Sequence, residues 1–135
     1  MAVELLMDTG RRPDEICQLP LACLDQDERG PVLVYTDFKT NRHDRRLPIS
    51  TATAELIRGQ QQRVRQRYPH ADEAKLVLLP RTNANPYGQS SIRAATLTNF
   101  HRGWVDSVPS LLLDDGTPFL KSLAVPYAYR HIVPA

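Results

Sequence analysis

The chain has 135 residues, 41% of them hydrophobic, and a formal net charge of +2 at pH 7. A chain of this size buries one modest core, so the sequence predicts one domain or part of one. No apolar run is long enough to cross a membrane, and Glu4 and Asp8 interrupt the first apolar segment, which argues against a signal peptide. We therefore expect a cytoplasmic protein that does not associate with a membrane.

The charge is distributed unevenly along the chain. Residues 1–37 carry a net charge of −5, residues 38–70 carry +6, and the remaining residues carry +1. Fourteen of the seventeen basic residues are arginines, which favour planar, two-pronged contacts with phosphate. A basic block of this kind is typical of a surface that meets phosphates. A solvated charged face, or a compositional bias of the source genome, explains the same count.

Two helices are predicted to meet at a sharp corner near the start of the chain. The first ends at Gly10, because glycine accepts the left-handed conformation of a helix C-cap. Pro13 suits the first turn of the second helix, where a backbone N–H would be unpaired in any case. Arg12 therefore lies at the corner, with Glu15 close enough to orient its guanidinium group. Taken alone, this is also the pattern of an exposed arginine in a local ion pair.

A β-hairpin or three-stranded antiparallel sheet is predicted after the corner. A polar turn at 25–30 precedes the apolar run 32–35, and a further strand reaches 46–49. Pro48 belongs at the edge or end of that strand, because it cannot donate to a sheet. Lys39 then lies near the exposed tip between the second and third strands, where its side chain can reach a ligand.

Helices with apolar stripes are predicted in the rest of the chain. The stripe of a helix at 51–68, capped by Ser50 or Thr51, consists of Ile57, Gln61, Val64 and Tyr68. The stripe of a helix that starts at Ser90 or Ser91 consists of Leu97, Phe100 and Trp104. Between them we expect a short buried extended segment at 76–79 and a polar loop at 80–88. Residues 109–118 are predicted to be an irregular surface loop, and Pro126 to open a last helix.

Three short motifs, read together, resemble the catalytic domain of the tyrosine recombinase (phage integrase) family. Gly10-x-Arg12-x-x-Glu15 is similar to the first arginine motif of that family. Lys39, followed by Arg46-Leu47-Pro48-Ile49, is similar to its β-hairpin lysine segment, and Tyr127-x-x-Arg130-His131 is similar to its His-x-x-Arg box. The order and spacing of the motifs agree with the family over most of the chain.

The resemblance implies an α+β, mainly helical fold with a small antiparallel sheet near the N-terminal third. It assigns Arg12 and Arg130 to the two sides of one DNA phosphate and makes Lys39 the general acid that protonates the departing 5′ oxygen. The residues with supporting roles are Glu15, Tyr127 and His131, and those that bind DNA are Arg42, Arg45 and Arg46. The implied partner is double-stranded DNA, with self-association on DNA in the full-length protein. No cofactor and no metal are implied, and no carboxylates stand at metal-binding spacing in the sequence.

The chain departs from the family in two respects. Tyr127 occupies the usual place of a histidine, and no residue after the second arginine motif matches the nucleophilic tyrosine. An upstream helical domain that clamps DNA is also missing, so we expect residues 1–135 to be a partial catalytic domain that is inactive alone. A non-catalytic DNA-binding or regulatory module, and an unrelated helical interaction domain, are the alternatives. Cys17 and Cys23 are expected to be small buried residues.

Overall fold

The computed structural model describes residues 1–107, 111–113, 118–119 and 132–134. The elements in chain order are α1 (Ala2–Thr9), α2 (Pro13–Cys17), β1 (Leu24–Asp27), β2 (Gly30–Asp37), β3 (Arg42–Pro48), α3 (Thr51–Arg67), a 3₁₀ turn (Glu73–Lys75), α4 (Ala94–Ser107), β4 (Leu111–Leu113), β5 (Pro118–Phe119) and β6 (Ile132–Pro134). Strands β1, β2 and β3 form one antiparallel sheet in that order, and β4 lies between β5 and β6 in another. The predicted combination of helices with a small antiparallel sheet, an α+β architecture, is confirmed.

The corner between α1 and α2 (residues 10–12) has the predicted geometry. Gly10 has φ 62° and ψ 16°, and its N–H donates to the Leu6 carbonyl, which ends α1. Pro13 is the first residue of α2. The carboxylate of Glu15 reaches back and accepts a hydrogen bond from the backbone N–H of Arg12 at 3.3 Å. Because both helix ends are capped, the backbone that carries Arg11 and Arg12 is held in place.

The first sheet places its apolar residues on the side of the core. Leu33 is fully buried, and its neighbours across the sheet are Leu24 and Leu47. The predicted polar turn at 25–30 is shorter than expected, because most of β1 consists of residues of that segment, paired with β2. An exposed strand can carry polar side chains when its backbone groups are bonded to a neighbour. Lys39 lies between β2 and β3, and Pro48 ends the edge strand β3, both as predicted.

Helix α3 agrees with its prediction in both its start and its buried face. The hydroxyl of Ser50 accepts from the backbone N–H of Thr53 at 3.1 Å, so Ser50 is the N-cap. Ile57, Gln61 and Val64 of the predicted stripe are buried, whereas Tyr68 is half-buried. The amide of Gln61 donates to the Leu21 carbonyl at 2.8 Å, which satisfies a polar group inside the core.

Helix α4 turns a different face to the core from the predicted one. It begins at Ala94, because Ser91 still forms a bridge with Pro80. Its buried residues are Leu97, His101 and Val105, whereas Phe100 is 55% exposed and Trp104 is half-buried. Burial, and the positive charge of Arg102, lower the pKa of His101. A histidine that is neutral near pH 7 can therefore occupy a position expected to be apolar.

The segment between α3 and α4 is irregular but well packed. Leu76, Leu78 and Leu79 are buried, as predicted for residues 76–79. In the following loop, the amide nitrogen of Asn85 donates to the carbonyls of Arg81 (3.0 Å) and Ser90 (2.9 Å), and its oxygen accepts from the Ser90 N–H at 3.1 Å. The Asn85 side chain thus adds three hydrogen bonds to the few backbone bonds that hold this loop.

Replacing Asn85 by alanine is expected to destabilise the fold. The substitution leaves the Arg81 carbonyl and the Ser90 N–H without their partner, and the Ser90 carbonyl with the Arg81 N–H alone, in a region where Asn85 is only 8% exposed. A loss of about 1–3 kcal/mol in the free energy of unfolding follows from such unpaired groups. Chemical denaturation of Asn85→Ala measures this loss, and Asn83→Ala, at an exposed position of the same loop, is the control. Equal stability of the two variants would contradict the structural role of Asn85.

The helices and the first sheet enclose one core, and the corner lies at its edge. Helix α2 packs against α1, α4 and β2, so residues 10–12 are close to both the helices and the hairpin. Within the described residues, no helix has the length and apolar character needed to span a membrane.

Part of the C-terminal prediction differs from the structure. Residues 109–118 were expected to be irregular, yet β4 forms within them and pairs with β5 and β6. Residues 126–131, for which a helix start was predicted, lie outside the described residues.

Candidate nucleic-acid interface

Arg12 is held in place through its backbone and not through its side chain. The residue is the N-cap of α2 and is half-buried. Among the described residues, the guanidinium forms neither a hydrogen bond nor an ion pair. Glu15 was predicted to orient that group, but its contact is with the Arg12 backbone N–H instead. The unpaired N–H groups of a helix start are the nearest donors to a glutamate in the first turn, which explains this outcome.

The hairpin turn (residues 38–41) holds Lys39 by its backbone as well. One carboxylate oxygen of Asp37 accepts from the backbone N–H groups of Lys39 (3.1 Å) and Thr40 (3.3 Å). Asn41 has a φ of 52°, a left-handed conformation that asparagine tolerates in turns. The Lys39 side chain is exposed. The turn is therefore fixed, while the ammonium group can move over the length of its side chain.

Arg12 and the hairpin turn both act on the carboxylate of Asp37. The pKa of Asp37 is below its ordinary value although desolvation acts to raise it, because hydrogen bonds from Thr40 and Lys39, and the positive charge of Arg12, outweigh desolvation. The Arg12 guanidinium is thus close enough to Asp37 to act on its charge. The structure brings two of the three predicted catalytic residues, Arg12 and Lys39, to the same region of the surface.

Arg11 contributes a contact that sequence reasoning missed. Its Nη1 donates to the Tyr35 hydroxyl at 2.9 Å, and its Cζ lies 5.4 Å from the centroid of the Tyr35 ring. Tyr35 is only 6% exposed and belongs to the core. An arginine next to Arg12 gives no sign by itself of which aromatic residue it meets, since that depends on the packing of α2 against β2.

The three arginines predicted to bind DNA from β3 divide into two groups. Arg45 lies opposite Tyr35 in the sheet and therefore on the face that meets Arg11, whereas Arg46 lies opposite Val34 on the other face. Arg46 donates to Asp25 at 2.8 Å, which lowers the pKa of that carboxyl group. Arg42 and Arg45 are exposed and have no ion-pair partner within the described part of the chain.

The arginines of α3 have partners within the protein. Arg58 binds Glu55 at 2.6 Å, and Arg65 binds Glu73 at 2.8 Å. The guanidinium of Arg67 donates to the Thr82 carbonyl. Exposed pairs of this kind contribute little to stability, on the order of 0–1 kcal/mol, but they reduce the charge available to a ligand. Within the described residues, the arginines of the basic block that have partners thus include Arg46 on β3 and those of α3, whereas Arg42 and Arg45 on β3 form an open set.

The two cysteines have the predicted buried positions. Burial raises the pKa of Cys17 to about 11 and that of Cys23 to about 12, with Asp14 adding to the effect at Cys17. Both thiols are protonated near neutral pH and are poor nucleophiles. Within residues 1–107 and the described strands, no three His, Cys, Asp or Glu side chains are grouped so that they could hold a metal ion.

The second arginine motif lies outside the described residues. Tyr127, Arg130 and His131 belong to a segment whose placement is not described, so the convergence of Arg12 with Arg130 stays a prediction.

The described residues include several cationic groups at the corner and on the hairpin. A half-buried guanidinium, a mobile ammonium and the open arginines of β3 offer several donors to phosphate oxygens. Comparisons of the chain with protein-family models, with curated proteins and with solved structures found no match.

Proposed function

We propose that this chain is the DNA-binding part of the catalytic domain of a site-specific tyrosine recombinase. In the full-length protein, strands are cut and rejoined through a phosphotyrosine intermediate. The observation that supports the proposal is that the corner with Arg12 lies beside the hairpin with Lys39, because Arg11 donates to Tyr35 and the charge of Arg12 acts on Asp37. These residues are far apart in the sequence, and the motif resemblance requires them to meet at one phosphate.

The residues have separate roles in this reaction. In-line attack on a phosphodiester increases the negative charge on the non-bridging oxygens, and guanidinium groups on both sides stabilise it. Arg12 supplies one of these groups, and Arg130 supplies the other. Lys39 protonates the departing 5′ oxygen, for which an ammonium on an exposed turn has the needed reach. Tyr127 and His131 support Arg130, and Glu15 supports Arg12 through its backbone.

Asp37 places a negative charge close to the proposed phosphate, and its hydrogen bonds explain how this is tolerated. One of its oxygens accepts from two backbone N–H groups of the turn. Hydrogen bonding of this kind stabilises the ionised form of a carboxylate. Asp37 thus shapes the turn, and the nearby arginines keep the region attractive to a phosphate.

The open arginines support the choice of double-stranded DNA as the partner. Arg42 and Arg45 extend the cationic surface along the edge strand β3 away from the Lys39 turn. Contacts with neighbouring phosphates would place the scissile phosphate relative to the catalytic groups. In the full-length protein this surface would act on DNA in the cytoplasm, with several copies associating on one site.

A non-catalytic DNA-binding or regulatory module is the second candidate. Tyr127 in place of a histidine favours it, because a phenol is a poor proton carrier near neutral pH. Both candidates require DNA binding, and only the first requires strand cleavage once a nucleophilic tyrosine is supplied.

Salt-dependent DNA binding tests the property that both candidates share. The logarithm of the affinity for duplex DNA is expected to fall linearly with the logarithm of salt concentration. The double variant Arg42→Ala/Arg45→Ala is expected to weaken binding and to reduce the magnitude of this slope by about 2. Fluorescence anisotropy with a labelled duplex measures both quantities.

The double variant Arg58→Ala/Arg65→Ala is the matched control, because it removes the same charge from two arginines that are paired with Glu55 and Glu73. It is expected to leave the slope unchanged. Binding that does not respond to salt, or an equal loss in the control, would show that the open arginines do not contact phosphates.

A further inference from the structure

The contact between Arg11 and Tyr35 joins the corner to the hairpin. Within residues 1–107, it is the only side-chain hydrogen bond between residues 9–15 and the hairpin 30–48. Arg11 directly precedes Arg12 in the chain. Tyr35 precedes Asp37, whose carboxylate shapes the turn that carries Lys39. Each end of this contact is therefore within a few residues, along the sequence, of a proposed catalytic residue.

The Tyr35 end of the contact is anchored in the core. Tyr35 is only 6% exposed and belongs to the core cluster, so a movement of its ring would disturb that packing. The strand pairing is irregular between Tyr35 and Asp37, which changes the direction of β2 just before the turn. Tyr35 and the irregular pairing that follows it therefore help to fix the turn relative to the core.

The Arg11 end depends on this one partner. Nη1 makes the only hydrogen bond of the guanidinium within the described part of the chain, and Nε is buried without a partner there. Stacking on the ring adds a non-directional attraction. Removing the Tyr35 hydroxyl would leave the guanidinium with stacking alone. The corner, whose own backbone conformation is fixed by the helix caps, could then shift as a unit relative to the hairpin.

We propose that Arg11 and Tyr35 are positioning residues that set the distance between the Arg12 guanidinium and the Lys39 turn. The proposal deepens the proposed function, because that distance decides whether both groups reach one phosphate. Neither Arg11 nor Tyr35 needs to touch DNA in this role.

The chain offers a matched pair of substitutions for the test. Tyr35→Phe removes the hydroxyl that accepts from Arg11 and keeps the ring. Tyr68→Phe is the control, since its hydroxyl donates to the Asn85 carbonyl at 2.9 Å and Arg67 stacks on its ring with Cζ at 5.2 Å from the centroid. Both changes remove one hydroxyl from a tyrosine beneath an arginine, but only the first lies between the corner and the hairpin.

A first measurement needs no DNA. The Asp37 carboxyl group is titrated by NMR in the 135-residue chain and in its variants. Because Arg12 contributes to the lowered pKa of Asp37, that pKa is expected to rise in Arg12→Ala and in Tyr35→Phe. It is expected to stay at the wild-type value in Tyr68→Phe. If the pKa of Asp37 in Tyr35→Phe equals the wild-type value, Arg11 and Tyr35 do not have the positioning role.

A second measurement uses binding to a short DNA duplex. In the wild-type background, the loss of affinity in the double variant Arg12→Ala/Lys39→Ala is compared with the product of the losses in the two single variants. The two are expected to differ by about threefold to tenfold, as for groups that share a partner. This coupling should disappear when Tyr35→Phe is also present and should persist when Tyr68→Phe is present. Coupling that persists in Tyr35→Phe would also overturn the positioning role.

The two readouts keep this inference separate from the proposed function. If the wild-type chain does not bind DNA, the proposed function fails, while the Asp37 titration still decides whether Arg11 and Tyr35 position the corner. If Tyr35→Phe does not fold, Arg11→Lys replaces it. This variant keeps the charge, loses the planar contact and is expected to raise the pKa of Asp37 in the same way.

Discussion

Replacing Arg12 by alanine is expected to slow DNA strand cleavage by about 10²–10³-fold in a protein that continues this chain through a nucleophilic tyrosine. The size follows from the loss of one fixed donor to the charge that develops in the transition state. Folding should be nearly unaffected, because the guanidinium makes no hydrogen bond or ion pair within the described residues, and the Glu15 contact is with the backbone. Single-turnover cleavage of a labelled duplex measures the rate.

The control for this substitution is Arg58→Ala, which removes an arginine that is already paired with Glu55. Its cleavage rate should equal that of the unmodified protein. If Arg12→Ala also cuts at the unmodified rate, Arg12 does not contact the scissile phosphate, and the catalytic role assigned to the first arginine motif is wrong.

The second large effect is expected at Lys39. Lys39→Ala should slow cleavage by about 10²–10⁴-fold, because the departing 5′ oxygen then leaves without a proton. A substrate with sulfur in place of that oxygen should restore most of the rate, since a thiolate needs no general acid. The comparison requires both substrates with both proteins under single-turnover conditions.

The sulfur substrate separates proton donation from simple phosphate binding. If Lys39→Ala stays slow on the sulfur substrate, the lysine acts through its charge on the phosphate and is not the general acid. Lys75→Ala, at an exposed position of the 3₁₀ turn, is the matched control and should be unaffected on either substrate.

The sequence predicts the parts of the structure that depend on neighbouring residues. Gly10 and Pro13 place the corner, and Ser50 places the start of α3, because caps act within one helical turn. The position of Lys39 between two strands follows from the alternation of apolar runs and polar turn residues. These local signals were enough to locate two of the candidate site residues.

Features that depend on distant contacts could not be predicted in this way. The partner of Arg11 is Tyr35, which the packing of α2 on β2 selects. The pairing of Arg46 with Asp25 depends on the sheet register, which no local pattern specifies. The spacing of Phe100 predicts a core position, yet the buried row passes through His101, because the contacts of α4 with α1 and α2 decide which face is buried.

The central claim is that Arg12, Arg130 and Lys39 meet at one phosphate, and a crystal structure of the chain bound to a short DNA duplex tests it most directly. We expect both guanidinium groups to contact non-bridging oxygens of the same phosphate, with the Lys39 ammonium beside its 5′ oxygen. Guanidinium groups that lie on opposite sides of the molecule, or that contact different phosphates, would contradict the claim.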